Sequence, residues 1–216
     1  MTAGRDWLAW HAAYDVPGSP LAQRLGVVQG WIRRTLDQAP PGPLRVVSMC
    51  AGQGRDLIDV LSGHPRRAEV TARLVELDPR IAAAARQRAA AAGLSLVDVV
   101  TGDAGLAAAY AGLAPADLVL ACGVFGNIST ADIQRTIAGC TRLCATGGTV
   151  IWTRSRQAPD LIPQICQWFA QHDFGLAGVS DPGPSWAVGA HQFTGRPGPP
   201  LAGERFFTFR QRPDSR

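Results

Sequence analysis

From Leu44 onward the chain alternates two kinds of apolar pattern. Runs rich in Val, Leu and Ile have strand length: LRVVSM at 44–49, ARLVELD at 72–78, LSLVDVVTGD at 94–103, ADLVLACGVF at 116–125 and TVIWTRS at 149–155. Between them lie segments whose apolar residues recur every three or four positions, at 56–64, 79–93, 130–143 and 158–174. A nearly continuous apolar run suits a strand buried on both faces, and a periodic one suits a helix lying against it. The alternation predicts an α/β fold, a three-layer sandwich with a mostly parallel sheet between helices.

Turn chemistry marks the boundaries. Ser19-Pro20 opens a helix, Pro79 sits in the first turn of another, Gly93 stops it, and Thr130 is the expected cap of the helix that ends before Gly147-Gly148. Residues 5–37 read as helical, in two pieces, WLAWHAAY and LAQRLGVVQGWIRRTL, separated by DVPGSP. We expect residues 1–43 to form a helical lid, joined by the stiff APPGP connector to one compact unit over 44–216. FGLAGVS, WAVGAHQF and RFFTF are further strand candidates near the C-terminus.

Composition narrows the class. A hydrophobic fraction of 46% with 18% charged residues suits a globular core, and no run reaches the length of a membrane span. With no leader-like N-terminus, the expected location is cytoplasmic. The five cysteines form no CxxC pair and the four histidines are scattered, so no metal site is expected. Net charge is +4, all basic residues are Arg, and they are dispersed, which does not indicate a nucleic-acid partner.

The chemistry gathers at the strand ends. After the first strand comes CAGQGRD, whose Gly52 and Gly54 allow close approach to a ligand and a sharp turn into the next helix. The third glycine of a dinucleotide fingerprint is absent; Leu57 stands there. Glu76 ends the second strand, where a carboxylate accepts two hydrogen bonds from a ribose diol. Asp103 ends the third, where it suits an exocyclic amine, and the Ala104 N–H suits a ring nitrogen. The backbone of ACGVFGN lines what remains of the site.

These segments, VVSMCAGQGRD, VELDP, VTGDA and ADLVLACGVFGN, resemble the class I S-adenosylmethionine-dependent methyltransferases over residues 44–155. The resemblance implies a Rossmann-like seven-stranded sheet with an antiparallel C-terminal hairpin. It implies S-adenosyl-L-methionine as cofactor and S-adenosyl-L-homocysteine as product. Ser48, Cys50, Ala51, Gly52, Gly54 and Asp56 would face the methionine part, Glu76 with Leu77 the ribose, Asp103 and Ala104 the adenine, and Cys122 and Gly123 the rest. Ser48 stands where the family has an acid, and Cys50 where it has a glycine. Asp56 or the Cys122 carbonyl would take over the missing acid's task.

For the acceptor, the aromatic N-terminal segment is the natural cover, with His11 and Tyr14 as base candidates sharing a helix face. Arg154 and Arg156 suit an anionic group, and Asn127 a hydrogen bond. Gly126-Asn127-Ile128-Ser129 lacks the Pro-Pro that grips a flipped base. The expectation is a methyltransferase acting on a small organic molecule. The alternatives are an RNA or protein methyltransferase, a cofactor-binding protein without transferase activity, and a nicotinamide-dependent oxidoreductase.

Overall fold

A computed structural model describes residues 12–199 and 203–210. Seven strands form one sheet: β1 (Leu44–Met49), β2 (Val70–Glu76), β3 (Val97–Thr101), β4 (Ala116–Ala121), β5 (Cys144–Ser155), β6 (Phe174–Val179) and β7 (Trp186–Phe193). Their spatial order is β3-β2-β1-β4-β5-β7-β6. The first five are parallel, and β7 runs antiparallel to both β5 and β6. This is the sandwich expected from the alternation of patterns.

Among the described residues five α-helices cover the sheet: α1 (Pro20–Gln38), α2 (Leu57–Gly63), α3 (Pro79–Ala91), α4 (Thr130–Leu143) and α5 (Ile162–Ala170). On one face, Val28, Ile32 and Leu36 of α1 share a core with Leu57 and Leu61 of α2, Ala82 and Ala85 of α3, and Val46, Leu74, Leu120 and Val188 of the sheet. On the other, Ile133 and Ile137 of α4 and Ile165 and Phe169 of α5 pack on Val47, Val119, Val150 and Trp152. Helix α1 is therefore part of the sheet's own core. Among the described residues no helix is long and apolar enough to cross a membrane.

Caps follow the sequence signals with one correction. Ser19 Oγ accepts from Ala22 N–H and Pro20 opens α1; Asp78 caps α3, with Pro79 in its first turn. Helix α4 is capped by Ser129, whose Oγ accepts from Asp132 N–H, and Thr130 is its first helical residue. Strand β5 begins directly after α4, at Cys144, and includes Gly147 and Gly148. Of the first N-terminal segment, Ala12–Asp15 forms a single 3-10 turn, and Trp7, Trp10 and His11 lie outside the described residues. RFFTF is not a strand of the sheet. It makes one isolated bridge, Arg205 to Leu106, because its backbone bonds go to several loops in turn.

The core beneath β5 and β7 is built around an aromatic stack. Trp152 lies opposite Gly189, where an added Cβ would sit 2.3 Å from the indole ring. Its Nε1 donates to Nδ1 of His191 at 3.1 Å, and Phe169 stacks on His191 with centroids 4.3 Å apart. An indole N–H only donates, so His191 carries its proton on Nε2. That nitrogen is buried without a hydrogen-bond partner among the described residues. Burial holds the imidazole down at about 4, against an ordinary value of 6.5.

Two predictions follow from this stack. Gly189→Ala forces the indole from its place and lowers stability by about 1–3 kcal/mol, read as a shift in denaturant midpoint. Because the folded-state pKa of His191 is depressed, its neutral form stabilises the fold above pH 6.5, and this is lost as pH falls toward 4. The loss is about 3 kcal/mol. Denaturation series between pH 7 and 4 should show this component of the acid slope in the wild type and not in His191→Gln.

Candidate cofactor and acceptor site

Strands β1 and β4 are neighbours, yet the helices that follow them, α2 and α4, go to opposite faces. The crevice beyond their carboxyl ends is where such sheets bind ligands. Three left-handed residues shape its floor: Cys50 at φ 52, Gly52 at φ 57 and Gly54 at φ 68. A side chain in this conformation costs about 1–2 kcal/mol, which gives a physical reason for glycine at position 50 and shows that this chain bears the strain instead. Gly54 is required on a second ground: an added Cβ would lie 2.5 Å from Ile58 and 2.8 Å from Leu74.

Glu76 ties this loop to the next strand tip. Its Oε2 accepts from Gly52 N–H and its Oε1 from Asp78 N–H, both at 2.9 Å. The loop is also sewn to β2 through Ala51 N–H and the Val75 carbonyl. Beside the carboxylate, Leu77 is 65% exposed, a large apolar side chain standing on the rim. From the next tip, Asp103 accepts from Gly105 N–H at 2.8 Å and pairs with Arg205 at 2.7 Å. The buried Tyr110 hydroxyl donates to the Ala104 carbonyl, fixing that turn. Burial first, then the charges of Glu76 and Asp103, push the Cys50 thiol well up, so both acids lie near the loop.

The β4 side is braced from within. Gly123, at φ 79, donates its N–H to Thr153 Oγ1, and an added Cβ there would meet open space. Asn127 donates its amide to the Gly123 carbonyl, and Arg154 donates to the Phe125 carbonyl. Arg156 reaches Asp160 at 3.4 Å and the Ser180 carbonyl at 3.3 Å. Each of the three residues expected to meet an acceptor is thus engaged by its own chain.

Ser48 and Asp56, both expected near the methionine part of the cofactor, are both buried. Ser48 is buried in β1 between Leu74 of β2 and Leu120 of β4. Asp56 is buried at the start of α2, accepts from Leu57 N–H, and makes no ion pair among the described residues. Burial raises its carboxyl to about 6. Nearby, Tyr14 accepts from Arg24 at 3.4 Å and lies under Arg55, which pairs with Asp15. Burial raises the Tyr14 phenol, the Arg24 charge opposes this, and the charge of Asp56 adds to it. Burial and then the same Asp56 charge raise the Cys122 thiol. Tyr14, Asp56 and Cys122 therefore form one cluster at the crevice.

Residues 48–150 match the family model of the methyltransferase domain. That match, with the seven-stranded sheet, supports a class I S-adenosylmethionine-dependent methyltransferase. No curated protein sequence matches it. Among solved structures, it is similar to a magnesium protoporphyrin IX methyltransferase from Synechocystis with bound S-adenosylmethionine. The TM-score is 0.68 and identity 14%, over 88% of this chain and 91% of that one. It is also similar to an O-methyltransferase family protein from Burkholderia thailandensis, at TM-score 0.67 and 19% identity. That match covers 90% of this chain, which spans 62% of the Burkholderia protein's length. A putative rRNA methylase from Clostridium thermocellum gives 0.60 and 12%, over 80% of this chain and 97% of that one.

The residues gathered at the crevice fit S-adenosylmethionine as a cofactor. The Glu76 carboxylate, the exposed Leu77 beside it, open space over Gly123 and a buried acid without an ion pair among the described residues are compatible with a cationic nucleoside that has one apolar face. The residues missed by sequence reasoning are those that support the site: Tyr110, Thr153 and Arg205. Nothing local marks them, since their partners lie in other segments.

Asp56→Asn separates the apo protein from the loaded one. Because the folded-state pKa is raised, this carboxyl's contribution is fully present below about pH 4 and lost as pH rises through 6. The variant keeps a capping side chain and removes a buried charge. It should raise apo stability at pH 7 by about 1–3 kcal/mol and flatten this component of the pH profile between 4 and 6. Thermal melts of both proteins across that range check it.

Proposed function

We propose that the chain transfers a methyl group from S-adenosylmethionine to a small organic acceptor. The observation that carries this reading is Glu76, whose carboxylate is fastened to the glycine loop on one side and to the β2–α3 turn on the other. One oxygen faces each anchor, and each oxygen keeps a second acceptor position for a ribose hydroxyl. Asp103 and the Ala104 N–H take the adenine, and the loop from Ser48 to Gly54 takes the methionine part. Asp56 supplies the negative charge that the family places at position 48.

The bound cofactor supplies an electrophilic methyl on a sulfonium. The protein's part is alignment and exclusion of water. The backbone of Cys122 and Gly123 lines the side on which the acceptor approaches, and Asn127 and Arg154 keep that loop rigid. The Arg55–Asp15 pair and the Arg55–Tyr14 contact hold residues 14 and 15 beside the glycine loop, where they form part of a cover. At neutral pH burial keeps the Tyr14 phenol protonated. It serves as a hydrogen-bond donor toward the acceptor, and His11 remains the candidate base.

The small-molecule reading is supported by the fate of the arginines. Arg55, Arg80, Arg88, Arg156 and Arg205 are each paired with an acid of this chain. A backbone-binding surface needs a row of cations open to phosphates. The five cysteines are free thiols, in keeping with a cytoplasmic setting.

Purified protein incubated with methyl-labelled cofactor and a metabolite extract, followed by mass spectrometry, tests the acceptor class; label in RNA alone would overturn it. Glu76→Ala should lose tenfold to hundredfold in calorimetric cofactor affinity, or about 1.5–3 kcal/mol. Unchanged binding would remove Glu76 from the site.

A further inference from the structure

After Gly203 the chain crosses the carboxyl rim of the sheet as a strap. Ala107 N–H donates to the Glu204 carbonyl, Phe206 N–H to the Gly105 carbonyl, and Arg210 N–H to the Asn127 carbonyl. The strap thus joins the loop after β3, which takes the adenine in the proposed function, to the loop after β4, which lines the acceptor side. Phe206 anchors it. An added Cβ on Gly139 of α4 would lie 2.4 Å from that ring, and one on Gly105 would lie 2.3 Å from the Phe207 carbonyl oxygen. Both glycines leave room for the strap.

At the start of the strap, one nitrogen of Arg205, Nη1, donates to Asp103 Oδ2 at 2.7 Å and to the Phe207 carbonyl at 3.3 Å. The other Asp103 oxygen accepts from Gly105 N–H. The two side chains are 37% and 43% exposed, so the pair adds little to stability. Its effect is geometric. An aspartate this exposed samples several rotamers and is hydrated, and a ligand must order it on binding. Here both oxygens are already held, and each retains one further acceptor position.

We infer that Arg205 is a positioning residue for nucleobase recognition. By holding Asp103 in one orientation, it presets the carboxylate for the exocyclic amine of an adenosyl ligand. The inference rests on the assignment of Asp103 to the adenine. It adds a determinant carried by a segment beyond the matched domain, since the family model ends at residue 150.

The test is calorimetry of two ligands. One is S-adenosylhomocysteine; the other is its analogue with hydrogen in place of the exocyclic amine. Each is titrated into wild type, Arg205→Ala and Arg205→Lys. The wild type should prefer the adenosyl ligand by roughly tenfold, the value of one hydrogen bond to a charged acceptor. Arg205→Ala should lose about threefold to tenfold for that ligand and stay within about twofold for the analogue. Arg205→Lys should recover part of the preference. Equal losses for both ligands would mean that Arg205 only supports the strap and would overturn the inference, as would no loss at all. A wild type that binds both ligands equally would overturn it while leaving the cofactor reading intact. A wild type that binds neither would remove the cofactor reading itself.

Discussion

One carboxylate organises the functional end of this molecule. Glu76 sits where β2 stops, and its two oxygens reach in different directions, to Gly52 in the glycine loop and to Asp78 at the head of α3. A loop with three residues in the left-handed region has little intrinsic order, and Cys50 makes it strained as well. The Glu76 bonds and the Ala51–Val75 bond supply the order from outside the loop. The acid that meets the ribose in the proposed reading is therefore also the acid that shapes the floor on which the rest of the cofactor lies. Binding and loop geometry cannot be separated at this residue.

The same economy runs around the rim. Asn127, Arg154 and Arg156, which read in sequence as groups for a substrate, also brace the rim, and so does Arg205, which the sequence did not mark. Asn127 and Arg154 hold carbonyls of the β4–α4 loop, Arg156 spans from Asp160 to Ser180, and Arg205 holds Asp103. A loop at a strand tip leaves backbone groups without sheet partners, and side chains from neighbouring segments satisfy them.

Two buried ionisable groups mark where the design departs from stability. Asp56 carries a carboxyl raised to about 6 with no ion pair among the described residues, and His191 an imidazole lowered to about 4 in an aromatic stack. Their pH dependences run in opposite senses, so they partly cancel between pH 4 and 6. Only Asp56 lies at the crevice. In the proposed reading, this buried charge weakens the apo protein and complements the cationic cofactor. His191 has the simpler role of accepting the indole N–H of Trp152.

The succession of elements was legible in the chain because it depends on local periodicity and turn residues. Apolar runs buried on both faces, Pro20 and Pro79 at helix starts and Gly93 at a helix end determine strands and helices from within a few positions. The placement of Glu76 and Asp103 at adjacent strand tips follows from that succession, since parallel strands in a sheet of this kind present their carboxyl ends together. The use made of each polar side chain was not legible. Asp103 meets Arg205 across 102 positions of sequence, and Gly123 meets Thr153 across 30. RFFTF has the alternation of a strand but serves as a strap, because Gly105 and Gly139 leave room for its backbone and for Phe206. Local pattern decides what a segment becomes; only the packed structure decides whom its side chains meet, because those partners are brought together by the whole sheet.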